Sequence, residues 1–375
     1  MRFLHTADWH LGRSLGGHSL QADQEWLLSQ CLLPMVRDTR PDAVLIAGDV
    51  FDRFVPPPEA VELLDEILHR IIHECGVPVV LIPGNHDHAR RLSFGARLLR
   101  GAGLHIAQSA TGEAVRIAGA TIVATGYASP ALLATLPGYE AVADHDQGFA
   151  ALCPALLGLC CEPGPKLLVA HAFVTGGTES PDSERSLSVG GTGQVLASRF
   201  LGFDYVALGH LHRPQSLAGG RIRYSGSLFP YSVEEAEHAK SVTLVEFTGD
   251  GSMRMEELPL LPHRRLRVIR GSFADLRTAA AEGREDYVAL ELTDPRPVPE
   301  AQRLLTEIFP RIVGLRYVAE VAAPDRIAVP GAAARATRPI DLFADFHQVM
   351  RNAPLSGEAR AVAALAIAAA ELGDA

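Results

Sequence analysis

Residues 79–87 read Val79-Val80-Leu81-Ile82-Pro83-Gly84-Asn85-His86-Asp87. Four apolar residues, three of them β-branched, predict a short buried strand. Gly84 permits a tight turn at its end, and three polar residues follow at once. The same grammar recurs along the chain. Phe3-Leu4 leads to Asp8 and His10, Val44-Leu45-Ile46-Ala47 to Gly48-Asp49, Leu167-Leu168-Val169-Ala170 to His171, and Tyr205-Val206-Ala207-Leu208 to Gly209-His210-Leu211-His212. Five strands therefore each end in a residue of metal-ligand type. In α/β sheets, ligands bind beyond the carboxyl ends of the strands, so one rim collects Asp8, His10, Asp49, Asn85, His86, His171, His210 and His212.

Outward from these strands, 27–35 and 61–72 have helical spacing, and the alternation predicts α/β structure around a largely parallel sheet. From about Leu104 the runs 114–117, 121–125, 221–224 and 242–247, separated by Gly-rich turns, predict antiparallel β-structure. A two-sheet sandwich with helices outside fits both halves. A break at 258–263, with Pro259 and Pro262, precedes a β-α-β-α-β unit at 266–269, 273–281, 287–292, 299–309 and 312–321. A linker with Pro324, Pro330 and Gly331 leads to two helices. The first carries Leu342, Phe343, Phe346, Val349 and Met350 on one face, and the second opens at the N-cap residue Ser356. The boundaries expected are a main domain at 1–260, a small α+β domain at 264–322 and a helical segment at 338–375.

Composition narrows the classes. The 375 residues are 47% hydrophobic and 21% charged, which excludes a disordered chain. No apolar run reaches membrane-spanning length, and MRFLHTADWH, charged from its second residue, is unlike a signal peptide. Cys31, Cys75, Cys153, Cys160 and Cys161 form no C-x-x-C, so reduced, cytosolic thiols are expected rather than a zinc ribbon or disulfide framework. A net charge of −10 argues against coating nucleic acid by charge alone, though bound cations reverse a field locally.

Imidazole and carboxylate donors without thiolate suit Mn, Fe or Zn. Seven such groups are too many for one ion and suit two that share a carboxylate. Paired ions clamp the attacking and leaving oxygens of an in-line displacement, so the chemistry expected is phosphate-ester hydrolysis. D-x-H alone is weak, since Asp345-Phe346-His347 repeats it in a C-terminal helix where a structural role is expected. G-N-H-D and G-H-x-H are more specific, and the ordered set of five is strong.

Those five motifs resemble the calcineurin-like metallophosphoesterases. HTADWHLG at 5–12, AGDVFD at 47–52 and ALGHLHRPQ at 207–215 resemble the SbcD family of bacterial nuclease subunits within it. The resemblance spans roughly 1–230. It implies an α/β, four-layer α-β-β-α sandwich with a small α+β capping domain and C-terminal helices. It also implies a manganese-dependent nuclease, a 3′-to-5′ exonuclease on duplex DNA and an endonuclease on single strands and hairpins, acting in break repair, replication and recombination. Asp8, His10, Asp49 and His212 would hold one Mn(II), and Asp49, Asn85, His171 and His210 a second. His86 would act on the scissile phosphate. Asp52 would orient His86, or else cap the helix after Pro56–Pro58, the two readings being even. The partners implied are an SbcC-like SMC-family ATPase gripped by the C-terminal helices, DNA bound without sequence preference, and a second copy in a homodimer, with a cytoplasmic, nucleoid-associated location. No Walker A pattern occurs, so ATP dependence would come from the partner. Arg13, Arg53, Arg90 and Arg91 are candidate phosphate contacts, and 176–193 a candidate substrate loop. Ser225-Gly226-Ser227 reads as a simple turn, His5 as a packed strand residue and Trp9 as packing that stiffens its loop. The alternatives are a small-molecule phosphodiesterase of the same superfamily and a non-catalytic scaffold.

Overall fold

Alternation along the first strand sets the layers. In β1 (Arg2–Thr6), Phe3 faces one core while Leu4 faces another. In β2 (Ala43–Ala47), Ala43, Leu45 and Ala47 join Phe3, whereas Val44 and Ile46 join Leu4. Both faces are buried, so these strands read as continuous apolar runs. The computed structural model describes residues 1–107, 109–180, 193–249, 251–278, 283–318, 340–341, 343–344, 347–348 and 354–364.

Further strands are β3 (Val79–Ile82), β4 (Leu104–Ile106), β5 (Glu113–Ile117), β6 (Ala120–Ala124), β7 (Lys166–His171) and β8 (Tyr205–Gly209). They are followed by β9 (Gln215–Leu217), β10 (Ile222–Tyr224), β11 (Ser241–Phe247) and β12 (Met253–Pro259). One six-stranded sheet runs β12-β11-β1-β2-β3-β4 and the other β9-β10-β8-β7-β6-β5. Phe3, Leu45, Val80, Ile122, Val169 and Tyr205 fill the space between the sheets. Helices cover the outer faces: 21–39 and Pro58–His69 on the first sheet, His145–Gly158 on the second. The result is the four-layer α-β-β-α sandwich expected.

One expectation is corrected. The chain beyond Leu104 is not wholly antiparallel: β11 pairs antiparallel with β1 and β12 as expected, but in the second sheet β6, β7, β8 and β10 pair in parallel, with antiparallel β5 and β9 at the edges. The unread crossover is the helix His145–Gly158, which Asp144 caps by accepting from the Gln147 amide.

The chain divides into two compact units, Met1–Ala319 and Glu320–Ala375. Within the first, β13 (Leu266–Gly271), β14 (Tyr287–Leu292) and β15 (Ile312–Tyr317) form a parallel sheet with helices Phe273–Thr278 and Ala301–Thr306, as the β-α-β-α-β reading expects. Val288, Leu290 and Leu292 build a local core, while Tyr287 enters the larger one. In the second unit the described residues 357–364 are helical, and the Ser356 hydroxyl accepts from the Ala359 amide as an N-cap. Leu342, Phe346, Val349 and Met350 lie outside the described residues, as do Asp345 and most of the 176–193 loop. No helix among the described residues is long and apolar enough to cross a membrane. All five cysteines are free.

Candidate metal centre

Glycines let the two sheets meet at their carboxyl ends. A Cβ on Gly209 would lie 2.0 Å from the Ala47 carbonyl, one on Gly84 2.1 Å from Asp49 Oδ1, and one on Gly48 2.4 Å from His171 Nδ1. No larger residue fits there without displacing backbone or a donor. Four donor residues beside this cradle hold positive φ: Asp8 at 51°, His10 at 46°, Asp49 at 49° and His210 at 105°. Each such backbone costs about 1–3 kcal/mol and persists only where surroundings enforce it. Here main-chain bonds enforce it, from Asp8 N to Gly48 O (3.0 Å) and from His10 N to Asp49 O (2.9 Å). The carboxylates are aimed the same way. The His210 amide donates to Asp8 (2.9 Å) and the His86 amide to Asp49 Oδ1 (2.8 Å).

All eight residues expected at the rim come together there. Asp8, His10 and His212 offer atoms within one ion's reach, as do Asp8, Asp49 and His171, and also His10, Asp49 and His86. His10 Nε2 and His212 Nε2 face each other at 3.1 Å. His171 Nε2 lies 2.9 Å from Asn85 Oδ1. Asp49 Oδ2 sits between these groups, 3.7 Å from His10 Nε2 and 3.5 Å from His171 Nε2. His210 packs its ring 5.5 Å from that of His171.

The site fits divalent cations. Two imidazoles already give their other nitrogen away: His171 Nδ1 to the Ala47 carbonyl at 2.9 Å and His212 Nδ1 to Glu235 at 3.0 Å. With Nδ1 donating, Nε2 of His212 is left as an acceptor, as a metal requires, whereas His171 Nε2 faces the oxygens of Asn85 and Asp49, where a cation would take the place of its proton. Burial pulls the pKa of His171 down, but Asp49 and Asp8 outweigh it and raise it to about 9. Burial holds His10 and His210 well below their ordinary value. Burial favours neutral Asp49, yet His171, His10 and His86 together keep it well below the usual carboxylate range. The pocket's carboxylates thus call for positive charge, while two of its imidazoles present free lone pairs.

Both readings of Asp52 are corrected. The bond to His86 comes from the Asp52 main-chain carbonyl, 2.8 Å from His86 Nδ1. The Asp52 carboxylate pairs with Arg13 at 3.0 Å and lies 3.6 Å from His10 Nδ1. The following helix has Pro57 at its N-cap and no side-chain cap, so Asp52 does not cap it. Arg13 is drawn inward, its guanidinium 5.2 Å from the Tyr231 ring centre. Arg53, Arg90 and Arg91 are exposed.

Other expectations fall into place. His5 is buried, bonded to Tyr205 at 2.8 Å, and burial with the nearby Arg223 charge lowers its pKa to about 3. Trp9 is fully buried and donates to Thr6 Oγ1. The 225–227 stretch is more than a turn: Ser227 accepts from Lys240 at 2.8 Å beneath His212.

Sequence reasoning missed four supports. Gln24 donates to the Trp9 and His10 carbonyls and accepts from the Gly12 amide, holding the first motif loop. Tyr231 donates to Trp9 O. Asp87 accepts from the amides of Val50, Phe51 and Gly84, tying the second motif to the third. Its place in G-N-H-D was the available signal. Glu235, fully buried and paired with Lys240, carries none.

A sandwich with buried His and Asp donors and a half-buried Asn at its strand ends defines a metal-dependent hydrolase of the phosphoesterase class. The calcineurin-like phosphoesterase model matches residues 1–214, and the chain belongs to that family. A second model, SbcD_C (type 5 capsule protein repressor C-terminal domain), matches residues 262–351. Among solved structures, the chain is similar to a dimetal phosphatase from Danio rerio at 14% identity, covering 70% of this chain and 96% of that one, with a TM-score of 0.42. It is also similar to GAP50, the anchor in the inner membrane complex of Plasmodium, at 13% identity, 70% and 89% coverage and a TM-score of 0.38.

Proposed function

We propose that this chain is the nuclease subunit of an SbcCD-type complex, hydrolysing DNA phosphodiesters with two Mn(II) ions in break repair, replication and recombination. The observation that carries the reading is Asp49 Oδ2, set between His10 Nε2 and His171 Nε2 as a shared ligand would be. The SbcD_C match at 262–351 favours a nuclease over a small-molecule phosphodiesterase. Asp8, His10, Asp49 and His212 would hold one ion, and Asp49, Asn85, His171 and His210 the other. Bound there, the pair supplies Lewis acidity and a nucleophile at neutral pH.

The chain's own residues supply the rest. His86 keeps Nδ1 on the Asp52 carbonyl, so Nε2 is turned to the phosphate to stabilise developing charge and protonate the leaving oxygen. Exposed Arg53 contacts DNA phosphates without reading sequence, while Arg90 and Arg91 stand at a groove. The C-terminal helical segment docks the SMC-family ATPase. That groove of about 710 Å³, with Phe54, Val61, Phe94 and Leu99 among its walls and Leu98 exposed nearby, is the face for a second copy. The action proposed is cytoplasmic and nucleoid-associated.

The test is digestion of end-labelled linear duplex DNA by wild type and His86→Ala, with manganese, magnesium and chelator arms. Manganese-dependent shortening is expected, falling about 10²–10⁴-fold in the variant while both ions stay bound. Cleavage of cyclic nucleotides but not DNA, alone or with the ATPase and ATP, would point to the small-molecule enzyme. Failure to bind two ions would point to a scaffold.

A further inference from the structure

Beneath His212 lies a buried ion pair that no motif foretells. Glu235 Oε1 accepts from His212 Nδ1 at 3.0 Å, and its other oxygen holds Lys240. Lys240 Nζ also donates to the His212 carbonyl (2.8 Å) and to Ser227 Oγ (2.8 Å). One lysine thus grips His212 twice, directly at its backbone and through Glu235 at its ring. Glu235, Lys240 and Ser227 are all more than nine-tenths buried, so the arrangement is shielded from water and salt. The matching position on the other side of the site is built differently. His171 gives its Nδ1 proton to a neutral main-chain carbonyl, that of Ala47.

We propose that Glu235, anchored by Lys240, is a positioning residue. It holds His212 as the Nδ1–H tautomer with Nε2 aimed at the His10 side, so that this imidazole is braced by a hydrogen-bonded carboxylate where His171 is braced by a main-chain carbonyl. A carboxylate behind an imidazole fixes its tautomer and raises its strength as a ligand, and losing such a support costs about 10–100-fold in metal affinity. The inference rests on the two-ion reading above.

Two measurements test it. Calorimetric titration of the metal-free full chain with Mn(II) is run on wild type, Glu235→Gln and the double variant Glu235→Leu with Lys240→Met. The double variant removes both buried charges, so no unpaired lysine remains to unfold the protein. We expect one of two binding steps to weaken by about 10–100-fold in both variants while the other stays within about threefold. Two steps at wild-type affinity in either folded variant would overturn the proposal, as would equal weakening of both steps. The second measurement is the ring ¹⁵N spectrum of metal-free wild type, with His212 assigned by His212→Gln. A proton on Nδ1 is expected, and a proton on Nε2 with Nδ1 bare would overturn the proposal even if every variant misfolded. If wild type binds fewer than two ions, the two-ion reading fails instead, and the tautomer result still judges Glu235.

Discussion

At the scale of single residues, main-chain atoms carry much of the positioning. Because His86 is held by the Asp52 carbonyl, Asp52→Asn keeps that bond and weakens only the partly exposed pair with Arg13 and the 3.6 Å approach to His10 Nδ1. Such pairs are worth about 0–1 kcal/mol, so turnover should fall by less than about tenfold, against the far larger loss in His86→Ala. A steady-state comparison on one DNA substrate decides this, and a collapse in Asp52→Asn would mean the carboxylate itself acts. Asp87 is the converse case, a side chain serving the main chain. Asp87→Ala orphans three amide donors in a buried loop. At about 1–3 kcal/mol per orphan, with water entering to relieve part of it, denaturant unfolding should show a loss on the order of 3 kcal/mol.

At the scale of elements, the sites where strands end were legible and the braces behind them were not. Five runs of apolar residues closing on Asp, Asn or His spell out the rim, because β-strands announce themselves and ligand-bearing residues are few. Glu235 lies in a short 3-10 turn, in Val233-Glu234-Glu235, where two acids look like any solvated surface. Only the fold brings one of them under His212. The parallel core of the second sheet, inside its antiparallel edges, is illegible for a similar reason. The helix His145–Gly158 holds Gly148 and Pro154, which blur its helical pattern, so the parallel crossover went unseen. The helix Pro58–His69 begins before the expected 61, since Pro58 at its first turn starts a helix rather than ending one. The glycine cradle yields a prediction of its own. Gly209→Ala should lower stability by about 1–3 kcal/mol and impair metal uptake, as its methyl meets the Ala47 carbonyl at 2.0 Å. Gly158→Ala, with nothing within 4 Å, should do neither. Parallel unfolding and calorimetry on the two variants check both halves.

At the scale of the whole molecule, the proposed self-association has a direct test. Phe94 and Leu98 are 86% and 87% exposed beside the apolar groove, an arrangement that costs solubility unless something covers it. Leu98→Asp should convert a dimer to a monomer in sedimentation analysis and leave the fold unchanged by circular dichroism, since the residue packs against so little of its own chain. A wild type that sediments as a monomer at micromolar concentration would remove the groove from the argument. The frame beneath has a consequence for how such a catalyst changes over time. The donors are side chains carried on backbone whose shape is set by Gly48, Gly84, Gly209 and the main-chain bonds between motif loops. The imidazole donors can therefore be exchanged one at a time without rebuilding the turns that carry them, whereas Asp8 and Asp49, which also accept the His210 and His86 amides, allow only Asn. A selection that randomises the imidazole donors and keeps the glycines explores new ions and new reactions on an intact scaffold, whereas one that randomises the glycines explores chiefly chains that cannot close.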